Sequence, residues 1–345
     1  MEKIILNSPL DMHLHLRDDK MLELVAPLSA KYFSGALIMP NLVPPLTCKK
    51  SLLNYKKRIE NTAKNPFTPF MTLFFQNYSK EFLKSIKDDI LAIKLYPAGI
   101  TTNSENGVNL LDLKAFAPTL KSMSELGIVL CVHGESSGFV MDREKEFLPI
   151  YESLAQTYPN LTIIMEHITT KAACDLSQKY DNLYASITLH HLLFTLDDLA
   201  GGFLKPHLFC KPILKTYEDK DALLSLALEA NPKVMFGSDS APHPKNKKED
   251  CGCAAGVFSA PLALQALCSL FSKHKKEKNL NKFLSLNARN IYKLNKNDLI
   301  NKDITLVKKN FLVPKSYDLE NEKVIPMFAG EELDFSIEKI DILDN

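Results

Sequence analysis

Asp11-Met12-His13-Leu14-His15-Leu16-Arg17 carries two histidines spaced i, i+2 between apolar residues. Such a run reads as a strand, in which alternate side chains share a face, so both imidazoles project together about 6–7 Å apart at the backbone. That suits two nitrogen ligands gripping one metal ion, although two half-buried histidines packed at a strand end would give the same pattern. Arg17 continues the alternation, and a guanidinium there can pair bidentately with the carboxylate of an anionic substrate.

The elements that must position these groups are apolar runs separated by stretches of helical character. Eight read as strands: residues 4–16, 35–41, 70–75, 90–96, 127–133, 161–167, 183–188 and 234–239. Their near-continuous apolar character, without alternation, fits parallel strands covered on both faces. Intervening segments such as 110–126 and 261–273 carry apolar positions at helical period. Eight β units alternating with helices predict an α/β fold, a (β/α)8 TIM barrel with a short C-terminal extension, spanning residues 1–345 as one domain. A doubly wound open sheet is the alternative, but no G-x-G-x-x-G follows any of the runs.

Residues capable of chemistry close most of these runs. The first ends in His13, His15 and Arg17, the second in Asn41, the fourth in Lys94 and the fifth in His133. His167 closes the sixth, and Asp239, followed by His243, the eighth. Barrel active sites form where the C-terminal ends of strands converge, so the pattern marks one site. Lys94 lies between Ile93 and Leu95 in a run that should be buried. A buried ammonium without a partner is costly, so such a lysine tends towards the neutral amine. A neutral amine can capture carbon dioxide as a carbamate, an anion whose two oxygens can bridge two cations.

With 46% hydrophobic and 24% charged residues, the 345-residue chain has the composition of an ordinary globular protein. A net charge of +1 provides no global field to recruit nucleic acid or an anionic membrane, so specificity must be local. No apolar run reaches membrane-spanning length, and residues 1–7 lack the apolar core of a signal peptide. A cytoplasmic protein is expected. Seven scattered cysteines with no C-x-x-C pair read as free thiols in a reducing compartment. The tail beyond residue 294 is read as packing against the barrel, without chemistry.

The stretches DMHLHLRD (11–18), MPNLVPP (39–45), KLYPAGITTNS (94–104), VHGE (132–135), EHITTK (166–171), KPHLFCKPILK (205–215), GSDSAPH (237–243) and CGCAAG (251–256) together resemble dihydroorotases of the bacterial single-domain type, within the amidohydrolase superfamily. The resemblance runs in family order over nearly the whole chain. It implies two zinc ions per chain. His13, His15 and Asp239 would hold the more buried one, His133 and His167 the other, and Lys94, as N6-carboxylysine, would bridge both. Arg17, Asn41 and His243 would hold the substrate carboxylate. Thr101 and Thr102 would sit on a mobile loop over the substrate, and Lys211 and Ala254 would contact the pyrimidine ring through their backbone.

The implied reaction is the reversible cyclisation of N-carbamoyl-L-aspartate to L-dihydroorotate, a step of pyrimidine (UMP) synthesis. It would use a hydroxide bridging the two metals, with Asp239 as proton shuttle. The family also implies a homodimer. Three departures stand out: Lys211 replaces an apolar residue, Gly99-Ile100 replaces a more polar pair at the loop entry, and His190 is out of register where His191 matches. His190, His191 and His207 are read as packing or supporting residues, and His274 as part of a solvated helix face. Competing readings are a hydantoin-opening amidohydrolase, which would not need the carboxylate clamp, and a non-catalytic scaffold, which would lack metal ligands. A structural zinc protein would use closed, cysteine-rich ligation.

Overall fold

The computed structural model describes residues 3–109 and 114–343. Its strands are β1 (Lys3–Asn7), β2 (Leu10–Leu14), β3 (Gly35–Ile38), β4 (Thr68–Phe74), β5 (Ala92–Leu95), β6 (Val129–Val132) and β7 (Ile163–Met165). They continue with β8 (Leu183–Ile187), β9 (Val234–Phe236), β10 (Lys302–Leu312), β11 (Tyr317–Leu319), β12 (Glu322–Val324) and β13 (Glu332–Ile342). Strands β2 to β9 form one parallel sheet in sequence order. The backbone closes it: Asp239 N–H donates to the His13 carbonyl at 2.8 Å, and His15 N–H to that of Ser240 at 3.2 Å. Helices including Asp19–Tyr32, Lys49–Thr62 and Arg143–Thr157 follow the strands, which makes the fold the expected (β/α)8 barrel.

Continuous burial explains the missing alternation: every residue of β2, β3, β5 and β6 is buried. Ala92, Cys131, Ile164 and Met235 belong to an apolar cluster distinct from the larger one formed by strands and surrounding helices. Of the expected helical stretch 110–126, residues 110–113 lie outside the described residues, and the helix runs Ala117–Leu126.

The expected single strand over 4–16 is in fact two. Ser8 adopts a left-handed φ of 45° before Pro9, so the chain turns there. β1 then pairs antiparallel with β10, which pairs with β13 in a separate three-stranded sheet. The turn-forming triplet Asn7-Ser8-Pro9 lies between them, a break that the reading of 4–16 as one strand passes over. The tail does pack on the barrel: Ile304, Leu306 and Phe335 share the main apolar cluster with Leu6, Leu264 and Phe271.

Candidate metal centre and substrate site

His13, His15, His133, His167 and Asp239 line one cavity of the barrel. The β2–β3 ladder shifts register between Asp11 and Leu14, the stretch that carries His13. Asp11 is fully buried and accepts from His13 N–H, Ser238 N–H and the Ser238 hydroxyl, tying the histidine strand to the segment before Asp239. Gly237 is required there, because a Cβ would lie 2.9 Å from that of His13. His167, Asp239 and Arg17 all adopt left-handed φ values, 40°, 43° and 57°. Such backbone is sparsely populated by non-glycine residues and clusters at functional sites. Arg17 therefore leaves the strand alternation expected for it, yet its side chain still reaches the cavity.

Two groups of ligand atoms converge. His15 Nε2 lies 3.1 Å and His13 Nε2 3.5 Å from Asp239 Oδ1, and the ligand atoms of all three side chains fall within 4.8 Å of one another. His133 Nδ1 faces His167 Nε2 at 3.0 Å. Each pair is oriented from behind: His13 Nδ1–H donates to Glu166 Oε2 at 2.8 Å, and His133 Nε2–H to Glu135 Oε2 at 2.8 Å. These carboxylates fix which nitrogen offers its lone pair. Burial pushes the His15 pKa down to about 4, and likewise lowers those of His133 and His167, keeping these rings neutral and able to ligate. Burial alone would raise Asp239, but the surrounding imidazoles outweigh it and hold the carboxylate ionised.

Lys94 is fully buried, and its Nζ has no hydrogen-bond partner among the described residues. Burial holds its pKa below the ordinary lysine value despite the pull of Glu166 and Asp239. A buried, unpartnered, neutral-leaning amine within electrostatic reach of His133 and His167 fits a carbamate held between two cations, the group implied by the sequence. His167 Nδ1 is likewise without a partner.

Arg17, Asn41, Thr101, Thr102 and Lys211 line the same cavity. Arg17 Nε donates to the Pro242 carbonyl at 3.2 Å, and both Arg17 Nη2 and the Ala255 carbonyl lie 3.0 Å from His243 Nε2. Arg17 thus lines the cavity with the His243 imidazole held against it, while His243 itself is not among the residues that line that cavity. Asn41 Nδ2 donates to the Thr102 carbonyl at 3.0 Å. Ala254 lines a neighbouring cavity, while Ala255 and Gly256 face the histidines. Its N–H donates to Lys247 O, and its carbonyl accepts from Lys248 Nζ at 2.8 Å.

Sequence reasoning missed Glu166, Glu135 and Lys248. Lys248 is buried within a lysine-rich stretch, and its ammonium donates to the carbonyls of Phe209, Ala254 and Gly256 at 2.8–3.0 Å. His191 is held by Thr188 Oγ1 and Pro212 O, as a packing role predicts, whereas both ring nitrogens of buried His190 are unpartnered. With Cys210 these two form a second cluster of ligand-type side chains, but Cys210 Sγ and His191 Nε2 both bond Pro212 O. His207 pairs with Glu249 near the surface, and His274 is exposed.

A model of the amidohydrolase family matches residues 86–294. A dihydroorotase of Helicobacter pylori (strain G27) is 44% identical over 340 residues, covering 98% of this chain and 99% of the relative. The crystal structure of a dihydroorotase from Campylobacter jejuni superposes with a TM-score of 0.94 at 55% identity, over 98% of each chain. A Saccharomyces cerevisiae dihydroorotase in complex with 5-fluoroorotic acid superposes at 0.93 and 34% identity, over 98% of this chain and 99% of that one. The chain belongs to the dihydroorotase family of amidohydrolases, hydrolases of cyclic amides.

Proposed function

We propose that this chain interconverts N-carbamoyl-L-aspartate and L-dihydroorotate in pyrimidine synthesis, using two zinc ions bridged by carboxylated Lys94. The observation that carries the metal reading is the buried, unpartnered Lys94 amine beside oriented histidine pairs. His13, His15 and Asp239 would hold one ion, His133 and His167 the other. When bound, such ions lower the pKa of water from 15.7 to about 7 and polarise the scissile carbonyl.

The protein's own groups do the rest. Arg17 pairs with the substrate carboxylate, and His243, fixed beside it, adds a ring nitrogen to the same recognition. Asn41 and the Thr101-Thr102 segment close the cavity over the ring, excluding water that would weaken these contacts. In the hydrolytic direction Asp239 takes the proton of the attacking water and delivers it to the departing ring nitrogen; in synthesis it moves the proton back. Lys211 would contact the ring edge through its backbone, whereas Ala254, expected to do the same, has its N–H bonded to Lys247 O and its carbonyl to Lys248 Nζ and lines the neighbouring cavity. Family membership supports a homodimer and a cytoplasmic enzyme built as one domain. Among the described residues no helix is long and apolar enough to cross a membrane.

The test is L-dihydroorotate hydrolysis by purified protein as isolated, after chelation, and after return of zinc with bicarbonate. Activity lost and regained supports the proposal. Inactivity with two metals bound per chain overturns the substrate assignment and directs attention to hydantoin-like rings.

A further inference from the structure

We propose that Lys211 is a positioning residue whose side chain latches the segment Ile100–Asn103 over the active site. This rests on the proposed function for its consequence in catalysis, but not for the latch itself. Lys211 lies far along the chain from this segment, and its Nζ donates to the Ile100 carbonyl at 2.9 Å. Asn41 holds the other side of the segment: its Nδ2 donates to Thr102 O, and its carbonyl accepts from Asn103 Nδ2, each at 3.0 Å. Within the segment, Thr101 N–H bonds Ser104 Oγ, whose hydroxyl returns to Thr101 O, so the tip moves as a unit.

With the tip in place, Thr101, Thr102 and Lys211 form part of the wall of the cavity that holds the histidines, Arg17 and Asp239. Movement of the tip removes that wall, so the bonds made only in the seated state set how often the cavity is complete. The Lys211 bond is one of these, and it is charge-assisted, hence stronger than a neutral amide bond. An apolar side chain at position 211 could fill the same space but could not donate. The lysine stem is suited to the place, because Lys211 also lines the adjoining cavity with Leu199, Phe209 and Ile213. Thr101 and Thr102 face the inner cavity, so seating the tip also sets the hydroxyls that meet the substrate.

The experiment is amide hydrogen exchange of residues 99–104 in the full-length protein, for wild type, Lys211→Met and Lys211→Arg, with KM and kcat measured in parallel. A lost hydrogen bond to a charged donor is expected to speed exchange of this segment about tenfold in Lys211→Met. Exchange in the barrel strands should stay the same, Lys211→Arg should restore most of the protection, and KM should rise more than kcat changes. Unchanged exchange in Lys211→Met overturns the latch. Equal acceleration in both variants overturns it too, by assigning the effect to packing. Should Lys211→Met prove unstable, Lys211→Gln, which retains a donor of shorter reach, gives the same comparison. A wild type inactive on dihydroorotate would refute the function while leaving the exchange result to decide the latch.

Discussion

Glu166→Gln isolates the contribution of the carboxylate behind His13. Glu166 Oε2 accepts from His13 Nδ1 at 2.8 Å and from Ser186 Oγ at 2.5 Å, in a site with no solvent exposure of the carboxylate. Burial alone would raise the Glu166 pKa, yet His13 and the hydrogen bonds from His13 and Ser186 hold it low, so the group acts as an anion. Glutamine keeps the shape but removes the charge, reducing a charge-assisted bond to a neutral one, a loss of about 1 kcal/mol. If its carbonyl takes the Oε2 position, its NH2 occupies that of Oε1, which has no partner in the structure. That unsatisfied donor costs about 1–3 kcal/mol more. The His13 lone pair is then less basic and less firmly aimed, and zinc affinity should fall about 10–100-fold. Competition with a chromophoric chelator at pH 7 reads this directly, without substrate. Zinc affinity within about twofold of wild type would refute the argument that Glu166 prepares His13 as a ligand.

Asp239→Asn should lower turnover by roughly three orders of magnitude or more while substrate still binds, because the amide cannot carry the proton; near-normal kcat in the metal-loaded variant removes the shuttle role. Arg17→Met should raise KM far more than it lowers kcat, and an unchanged KM excludes Arg17 from the substrate site. Glu144 is buried and accepts from Thr169 N–H and the Thr170 hydroxyl, but burial dominates and lifts its pKa to about 7 from about 4.5. The folded chain thus holds a proton here between about pH 4.5 and 7 that the unfolded chain lacks. From this group stability rises as pH falls through that window, and about 3 kcal/mol is lost at higher pH. Glu144→Gln should therefore flatten the dependence of Tm on pH between about 5 and 8; an unaltered slope means the group is ionised throughout.

The barrel was legible because its strands are buried almost throughout and so appear as largely apolar runs, most of them closed by a polar residue. What the pattern could not convey was sheet membership. Asn7-Ser8-Pro9 interrupts the apolar residues of 4–16, but it takes the left-handed backbone at Ser8 and the strand pairing to show that β1 and β2 serve different sheets. The ligand-type residues were legible from type and position, since His13, Lys94, His133, His167 and Asp239 stand where strands end. Glu166 carried a weaker signal than Lys94, because it follows the apolar run Ile163-Ile164-Met165 and precedes His167 rather than lying between apolar residues. Lys248 offered no such signal, because a lysine-rich stretch normally faces water and its three carbonyl acceptors, those of Phe209, Ala254 and Gly256, are backbone groups that side-chain type does not mark. The left-handed conformations of Arg17, His167 and Asp239 were hidden for another reason. None is a glycine, and tertiary contacts impose their backbone.

The pairing of Lys3 with Val307 has a consequence in time. The hinge residue between β1 and the histidine strand is clasped by the same distant segment, through Ser8 N–H to Lys302 O and Lys302 N–H to Ser8 Oγ. At ribosomal rates of about 5–20 residues per second, the first strand waits roughly 15–60 s for its partner to be made. During that interval His13 and His15 exist without Asp239 for most of the wait, and without their clasped hinge for all of it. A nascent chain holds all of the ligand-type residues only once residue 239 is made, and the hinge before His13 is clasped only after residue 302. Shortening the tail should trap chains at that stage, rich in exposed apolar strand and dependent on chaperones.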